Sequence, residues 1–144
     1  MIAKNEKDSP DKVLVWFRKD LRLNDNPALA RALTSGKKII PIFVWDKEEG
    51  GNWKAGSASR LWLHHALNSL SESIGKLGGR LILAKGKPAQ ILPSIARETQ
   101  AKEVLYGRVY DPGGLATQQA VEEALDRAGL RSESFNSSLL NEPW

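Results

Sequence analysis

Apolar residues fall in five short runs along the chain, separated by longer stretches with a different rhythm. The runs are Val13 to Phe17, Ile39 to Trp45, Leu81 to Ala84, Val104 to Tyr106, and a weaker one from Ser132 to Phe135. The first two are nearly continuous rather than alternating. Strands covered on both faces read this way. The stretches between them carry helical spacing. Pro27 to Thr34 is a short helix, with Asn26 placed as N-cap and Pro27 in the first turn. Ser57 to Lys76 is the clearest: Leu63, Leu67, Leu70 and Ile74 form a single apolar stripe. Pro88 to Thr99 repeats the spacing with Ile91, Leu92 and Ile95. Leu115 to Ala128 does so with Val121 and Leu125, closed by Gly129.

Strand and helix therefore alternate from end to end. That order predicts an α/β fold: a Rossmann-like, doubly wound, five-stranded parallel sheet with helices on both faces. Such sheets bind small molecules at the carboxyl ends of their strands. The residues there are Arg18-Lys19-Asp20, Trp45-Asp46, Lys85-Gly86 and Gly107 to Asp111.

Composition narrows the picture. A length of 144 residues suits one domain. The formal charge is +4, a mild excess that an ordinary solvated surface explains. There is no cysteine, so disulfides, thiolate metal sites and cysteine nucleophiles are excluded together. This composition fits a reducing, cytoplasmic compartment. No apolar run approaches the ~18 residues of a membrane span. Residues 1–12 are polar and read as a disordered lead-in without the apolar segment of a signal peptide.

Several chemistries are missing. The turn Arg18 to Arg22 holds no glycine, whereas a dinucleotide fingerprint needs glycines there to let backbone approach the pyrophosphate. No Walker-type phosphate loop and no serine elbow occur. The two histidines, His64 and His65, are helix neighbours. They point about 100° apart and make a poor metal pair, so a helix-surface role is the simpler reading. No metal site is expected.

One stretch is too specific for composition to explain. Val15-Trp16-Phe17-Arg18-Lys19-Asp20-Leu21-Arg22-Leu23-Asn24-Asp25-Asn26-Pro27-Ala28-Leu29 resembles the opening of the DNA photolyase and cryptochrome family. Phe43 to Asp46, Gly56 to Leu63, Tyr110-Asp111-Pro112, Ser134-Phe135-Asn136 and Leu139 to Trp144 agree in order and spacing. The later matches are most similar to plant cryptochromes and the bacterial photolyases near them. The resemblance covers Val13 to Trp144.

It implies the amino-terminal antenna domain, over residues 13–136, with 137–144 opening a linker. A helical domain carrying flavin adenine dinucleotide (FAD) would follow, and DNA would be met only through that domain. The chain then reads as a truncated gene product or an isolated domain, not active alone. Its parent would be a light-driven lyase repairing ultraviolet-damaged DNA, or a blue-light-signalling cryptochrome. The antenna is expected to be a reduced folate (methenyltetrahydrofolate), with deazaflavin or flavin mononucleotide (FMN) as lesser candidates. The expected antenna contacts are Trp45, Asp46, Trp53, Arg60, Gly107, Arg108, Tyr110 and Asp111. A turn and interdomain lattice of interleaved charges is expected at Arg18, Asp20, Arg22 and Asp25, with Asn26.

The chain departs from relatives at some positions. Val109 stands where deazaflavin-binding relatives carry an acid. Gly113-Gly114 stands where enterobacterial-type folate binders carry Asn-Glu. Tyr106-Gly107 replaces a frequent Trp-Asn. Two other classes stay open: a docking scaffold without a ligand, marked by exposed Trp62 or Trp144, and a free-standing nucleotide binder using Gly113-Gly114.

Overall fold

The structure is a computed structural model that describes residues 11–51 and 54–142. Five strands and four helices alternate: β1 (Lys12–Phe17), α1 (Pro27–Thr34), β2 (Lys38–Trp45), α2 (Ser57–Lys76), β3 (Ile82–Lys85), α3 (Pro88–Thr99), β4 (Ala101–Gly107), α4 (Pro112–Arg127) and β5 (Arg131–Phe135). All pairings are parallel, in the order β3-β2-β1-β4-β5. The order reverses beside β1, between its neighbours β2 and β4.

β1 lies in the middle with apolar side chains on both sides, which is why its run does not alternate. Leu14 and Trp16 join Ile42, Val44, Val104 and Tyr106 in a core covered by α3 and α4. Val13, Val15 and Phe17 join Phe43 and Leu105 in a second core covered by α1 and α2. Each fully buried Val, Leu or Phe contributes about 1.5–3 kcal/mol. These two cores therefore dominate the stability.

The first three helices match the sequence reading, and Asn26 caps α1 by accepting the Leu29 N–H at 3.1 Å. Gly78 and Gly129 take left-handed φ values of 82° and 72° just past α2 and α4, the conformation that ends helices at glycine. The fourth helix departs from expectation. It starts at Pro112 rather than Leu115, because Asp111 caps it and Pro112 supplies a pre-set first-turn φ. β1 begins at Lys12, which pairs with Lys38 and Ala101.

Pro41 sits inside a strand that is flanked on both sides. It is tolerated because β2 meets β3 only from Ile42 onward, so no β3 carbonyl waits for the missing N–H. Among the described residues no helix is long and apolar enough to cross a membrane.

Candidate functional site

The carboxyl ends of β1 and β2 and the first turns of α2 enclose a crevice of about 420 Å³. Its walls include Trp16, Arg18, Trp45, Asp46, Ser59 and Trp62. Trp16 and Trp45 arrive from adjacent parallel strands. Ser59, Trp62 and Leu63 follow one helix face at i, i+3 and i+4, the spacing that puts side chains side by side. Val109 closes the floor from the loop after β4.

Arg18 is almost wholly buried, and its guanidinium is occupied. It donates to the Gly114 carbonyl at 2.9 Å and to Gln118 Oε1 at 3.3 Å, and lies 3.7 Å from Glu49 Oε1. Its Cζ stands 4.5 Å from the Trp16 ring centroid, a cation–π contact. Burial draws this guanidinium below its usual value, and Glu49 opposes the shift.

Lys19 is also engaged, at 2.7 Å from Asp111 Oδ1. Burial pushes the Asp111 carboxyl up, but Lys19 and the Gly114 N–H outweigh it and hold the group below its usual value. The crevice cations are therefore taken, Glu49 faces Arg18, and Asp46 remains as an acceptor. Asp46 Oδ1 accepts the Glu48 N–H at 2.9 Å, its one hydrogen bond among the described residues.

The expected contact residues divide into two groups. Trp45 and Asp46 line the crevice. They also line an adjoining recess of about 260 Å³ that runs on to Lys54 and Arg60. Gly107, Arg108, Tyr110 and Asp111 sit elsewhere, around a smaller recess shared with Asp20, Arg22 and Ser137. There Arg108 clamps Glu142 at 2.6 and 2.7 Å, and Tyr110 Oη donates to Glu142 Oε2 at 3.1 Å. This fastens residues 136–142 across the strand ends. Trp53 lies outside the described residues. Sequence reasoning did not assign Trp16, Ser59 or Leu63 to a site, and it placed Val109 at the strand ends without naming it as a contact. The signal for Trp16 was its place at the carboxyl end of an inner strand.

The charged side chains of the first turn bond mainly to backbone rather than to one another. No ion pair joins Arg18, Asp20, Arg22 and Asp25 to one another among the described residues. Short spacing lets these side chains reach backbone more readily than each other. Asp20 Oδ1 accepts the Arg18 N–H at 3.0 Å. Asp25 takes a left-handed φ of 51°, and Arg22 donates to its carbonyl at 3.2 and 3.0 Å. Arg22 also donates to the Ser137 carbonyl at 2.5 Å. Asn26 Nδ2 donates to the Arg22 carbonyl at 3.1 Å.

Gly113-Gly114 does not form a phosphate cradle. The Gly114 N–H is taken by Asp111 Oδ2 at 2.9 Å, and a Cβ on Gly114 would meet Val109 Cγ1 at 2.3 Å. His64 and His65 are exposed on α2, and His64 Nε2 pairs with Asn68 Nδ2 at 3.2 Å.

Behind the crevice wall, Tyr106 is fully buried. Burial and a hydrogen bond donated to Glu122 Oε1 raise its phenol far above the usual value. The unfolded chain then gives up this proton first, near pH 10. Stability is fully present below that pH and falls as pH rises past it. The Tyr106→Phe variant should lose less stability than the wild type between neutral pH and about pH 11, in denaturant titrations. Parallel alkaline profiles would contradict this reading of Tyr106.

The family model for DNA photolyase matches residues 13–144. The chain is 47% identical over 131 residues to the deoxyribodipyrimidine photo-lyase of Agrobacterium fabrum, covering 91% of this chain and 27% of that protein. It is 43% identical to cryptochrome-2 of Arabidopsis thaliana over 135 residues, covering 92% of this chain and 22% of that protein. The crystal structure of a bacterial class III photolyase from Agrobacterium tumefaciens superposes with a TM-score of 0.87 at 43% identity. That superposition covers 99% of this chain and 29% of the other. The chain thus spans about a quarter of the length of these relatives. The first-turn motif, the β3-β2-β1-β4-β5 sheet and these matches agree, and the chain belongs to the DNA photolyase family.

Proposed function

We propose that this chain is the light-harvesting domain of a photolyase-type flavoprotein, with a reduced folate as antenna in the crevice beside Trp16, Trp45 and Trp62. The carrying observation is the crevice itself: aromatic walls, occupied cations and the carboxylate of Asp46. A pterin ring presents an N–H and an amino group side by side, a donor pair that suits the Asp46 carboxylate. The flavin edge sets one N–H between two carbonyls, which a carboxylate repels. The anionic glutamate tail of a folate then follows the adjoining recess toward Arg60, which makes no ion pair among the described residues. Arg108, Tyr110 and Asp111 act in this reading by holding the strap 136–142 and capping α4, outside the ligand's reach. Excitation would pass to FAD in a following helical domain, where light-driven repair of ultraviolet-damaged DNA takes place.

A docking role has its own support. Leu61 and Trp62 on α2 are 60% and 64% exposed, an apolar area that suits a packed partner domain.

The test is an absorption titration of the purified chain with methenyltetrahydrofolate and, separately, FMN. The folate band should shift and saturate, and FMN should bind more weakly. Asp46→Asn should weaken folate binding by about tenfold, from loss of a charge-assisted hydrogen bond. Arg60→Ala should weaken it by about threefold, the scale of an exposed ion pair. An unshifted folate band would reject the antenna reading and leave the docking scaffold.

A further inference from the structure

Five groups close a ring behind the crevice wall: Trp16, Arg18, Gln118, Glu122 and Tyr106. The Trp16 and Tyr106 ring centroids are 5.2 Å apart, tilted by 53°. Tyr106 donates to Glu122 Oε1, and Gln118 Nε2 donates to the same oxygen at 3.3 Å. Gln118 in turn accepts from Arg18, whose cation lies over Trp16. Trp16 borders the crevice, whereas Tyr106 does not.

This arrangement has a redox consequence. An electron-rich indole on the wall of a light-absorbing ligand can be oxidised by that ligand. The guanidinium 4.5 Å from Trp16 makes an indole radical cation costly through like-charge repulsion. Oxidation of Tyr106 carries no such charge, provided its proton has an acceptor, and Glu122 is that acceptor. Glu122 is only partly buried, so it can exchange the proton with water.

We propose that Tyr106 and Glu122 form a one-electron, one-proton donor site, reached from the crevice through Trp16 and oxidised by a photoexcited heteroaromatic. The excited ring takes one electron from Trp16 and becomes a radical anion. Tyr106 returns one electron to Trp16. In that step the phenol O–H bond breaks and the proton binds Glu122 Oε1. The products are the ligand radical anion, a neutral tyrosyl radical and a protonated Glu122. The strongly raised phenol pKa accords with this, since Tyr106 keeps its proton until it is oxidised. The absence of cysteine removes a competing radical sink. The inference rests on the reading that the crevice accepts a light-absorbing ring. Its test uses a free photo-oxidant, so the two can fail separately.

The chain has two tyrosines, so Tyr110→Phe leaves Tyr106 alone. FMN added in solution is excited by a flash, and radicals are recorded by electron paramagnetic resonance. The Tyr110→Phe chain should show a neutral tyrosyl signal. Adding Trp16→Phe should lower its yield several-fold. Adding Glu122→Gln should also lower it several-fold, because an amide oxygen keeps the hydrogen bond but cannot hold the proton. Thermal melts of the two variants identify any loss caused by unfolding. Tyr106→Phe in the same background should leave only tryptophan radicals. Tryptophan radicals alone in the Tyr110→Phe chain would overturn the proposal. So would a tyrosyl yield that neither Trp16→Phe nor Glu122→Gln changes.

Discussion

Trp16→Ala should lower the unfolding free energy by about 4 kcal/mol, within the range for deleting a large buried aromatic. Trp16 is 3% exposed and packs in the core between the sheet and α3 and α4. Its loss removes the tilted contact with Tyr106 and the cation–π contact with Arg18. The cavity left behind cannot close easily, because Leu14 is held by sheet pairings on both sides and Val44 by its pairing with Ala84. Arg18 would then stay buried beside an opening that water can enter from the crevice. A domain of this size has about 5–15 kcal/mol in total, so the variant should be marginal at body temperature. Urea titration followed by circular dichroism reads the change. Trp16→Phe keeps a ring in place and should cost less than half as much. A loss under about 1 kcal/mol for Trp16→Ala would mean that the wall of the crevice is not structural.

Gly107→Ala should cost about 2–3 kcal/mol, the scale of overpacking a well-packed site. The backbone at Gly107 does not need a left-handed φ, so the argument is purely steric. A Cβ there would stand 2.3 Å from Ser137 Oγ and 2.4 Å from Asp20 Oδ2. Asp20 cannot yield cheaply, because it is buried and holds the Arg18 N–H. Ser137 Oγ can rotate away, but its Cβ would still stand 3.1 Å off, and its segment is held by Arg22 and Arg108 through Ser137 and Glu142. Loosening should therefore appear first in residues 136–142, as faster amide exchange there. Adding Ser137→Gly removes one of the two obstructing groups and should restore part of the loss. If Gly107→Ala melts like the wild type, the strap yields freely and does not fix the strand ends.

The fold was legible because the strands alternate with well-spaced helices and the inner strands are apolar on both faces. α2 and α3 carried their own stripes, though α3 ends at Gln100 with a left-handed φ of 62° rather than at a glycine. The start of α4 was hidden, since Pro112-Gly113-Gly114 looks like a loop until Asp111 is seen to cap it. The site was half legible. Position along the sheet identified Trp45 and Asp46, because a strand's carboxyl end is fixed by the strand. It could not separate the two recesses beyond β4, since neighbouring loop residues can face opposite sides. Val109 faces the crevice floor, while Tyr110 beside it turns to Glu142. The charge pattern at Arg18 to Asp25 was misread for a similar reason. Alternating signs invite pairing, but nearby backbone groups are easier partners than neighbouring side chains.

The middle place of β1 also constrains synthesis. Its first partner, β2, follows soon in the chain, but Val13 must wait for Glu103 to emerge before its other edge is paired. While the ribosome is still translating α2 and α3, the most apolar strand of the protein has one edge bare. The nascent domain should then depend on chaperones that shield exposed strands until β4 leaves the exit tunnel.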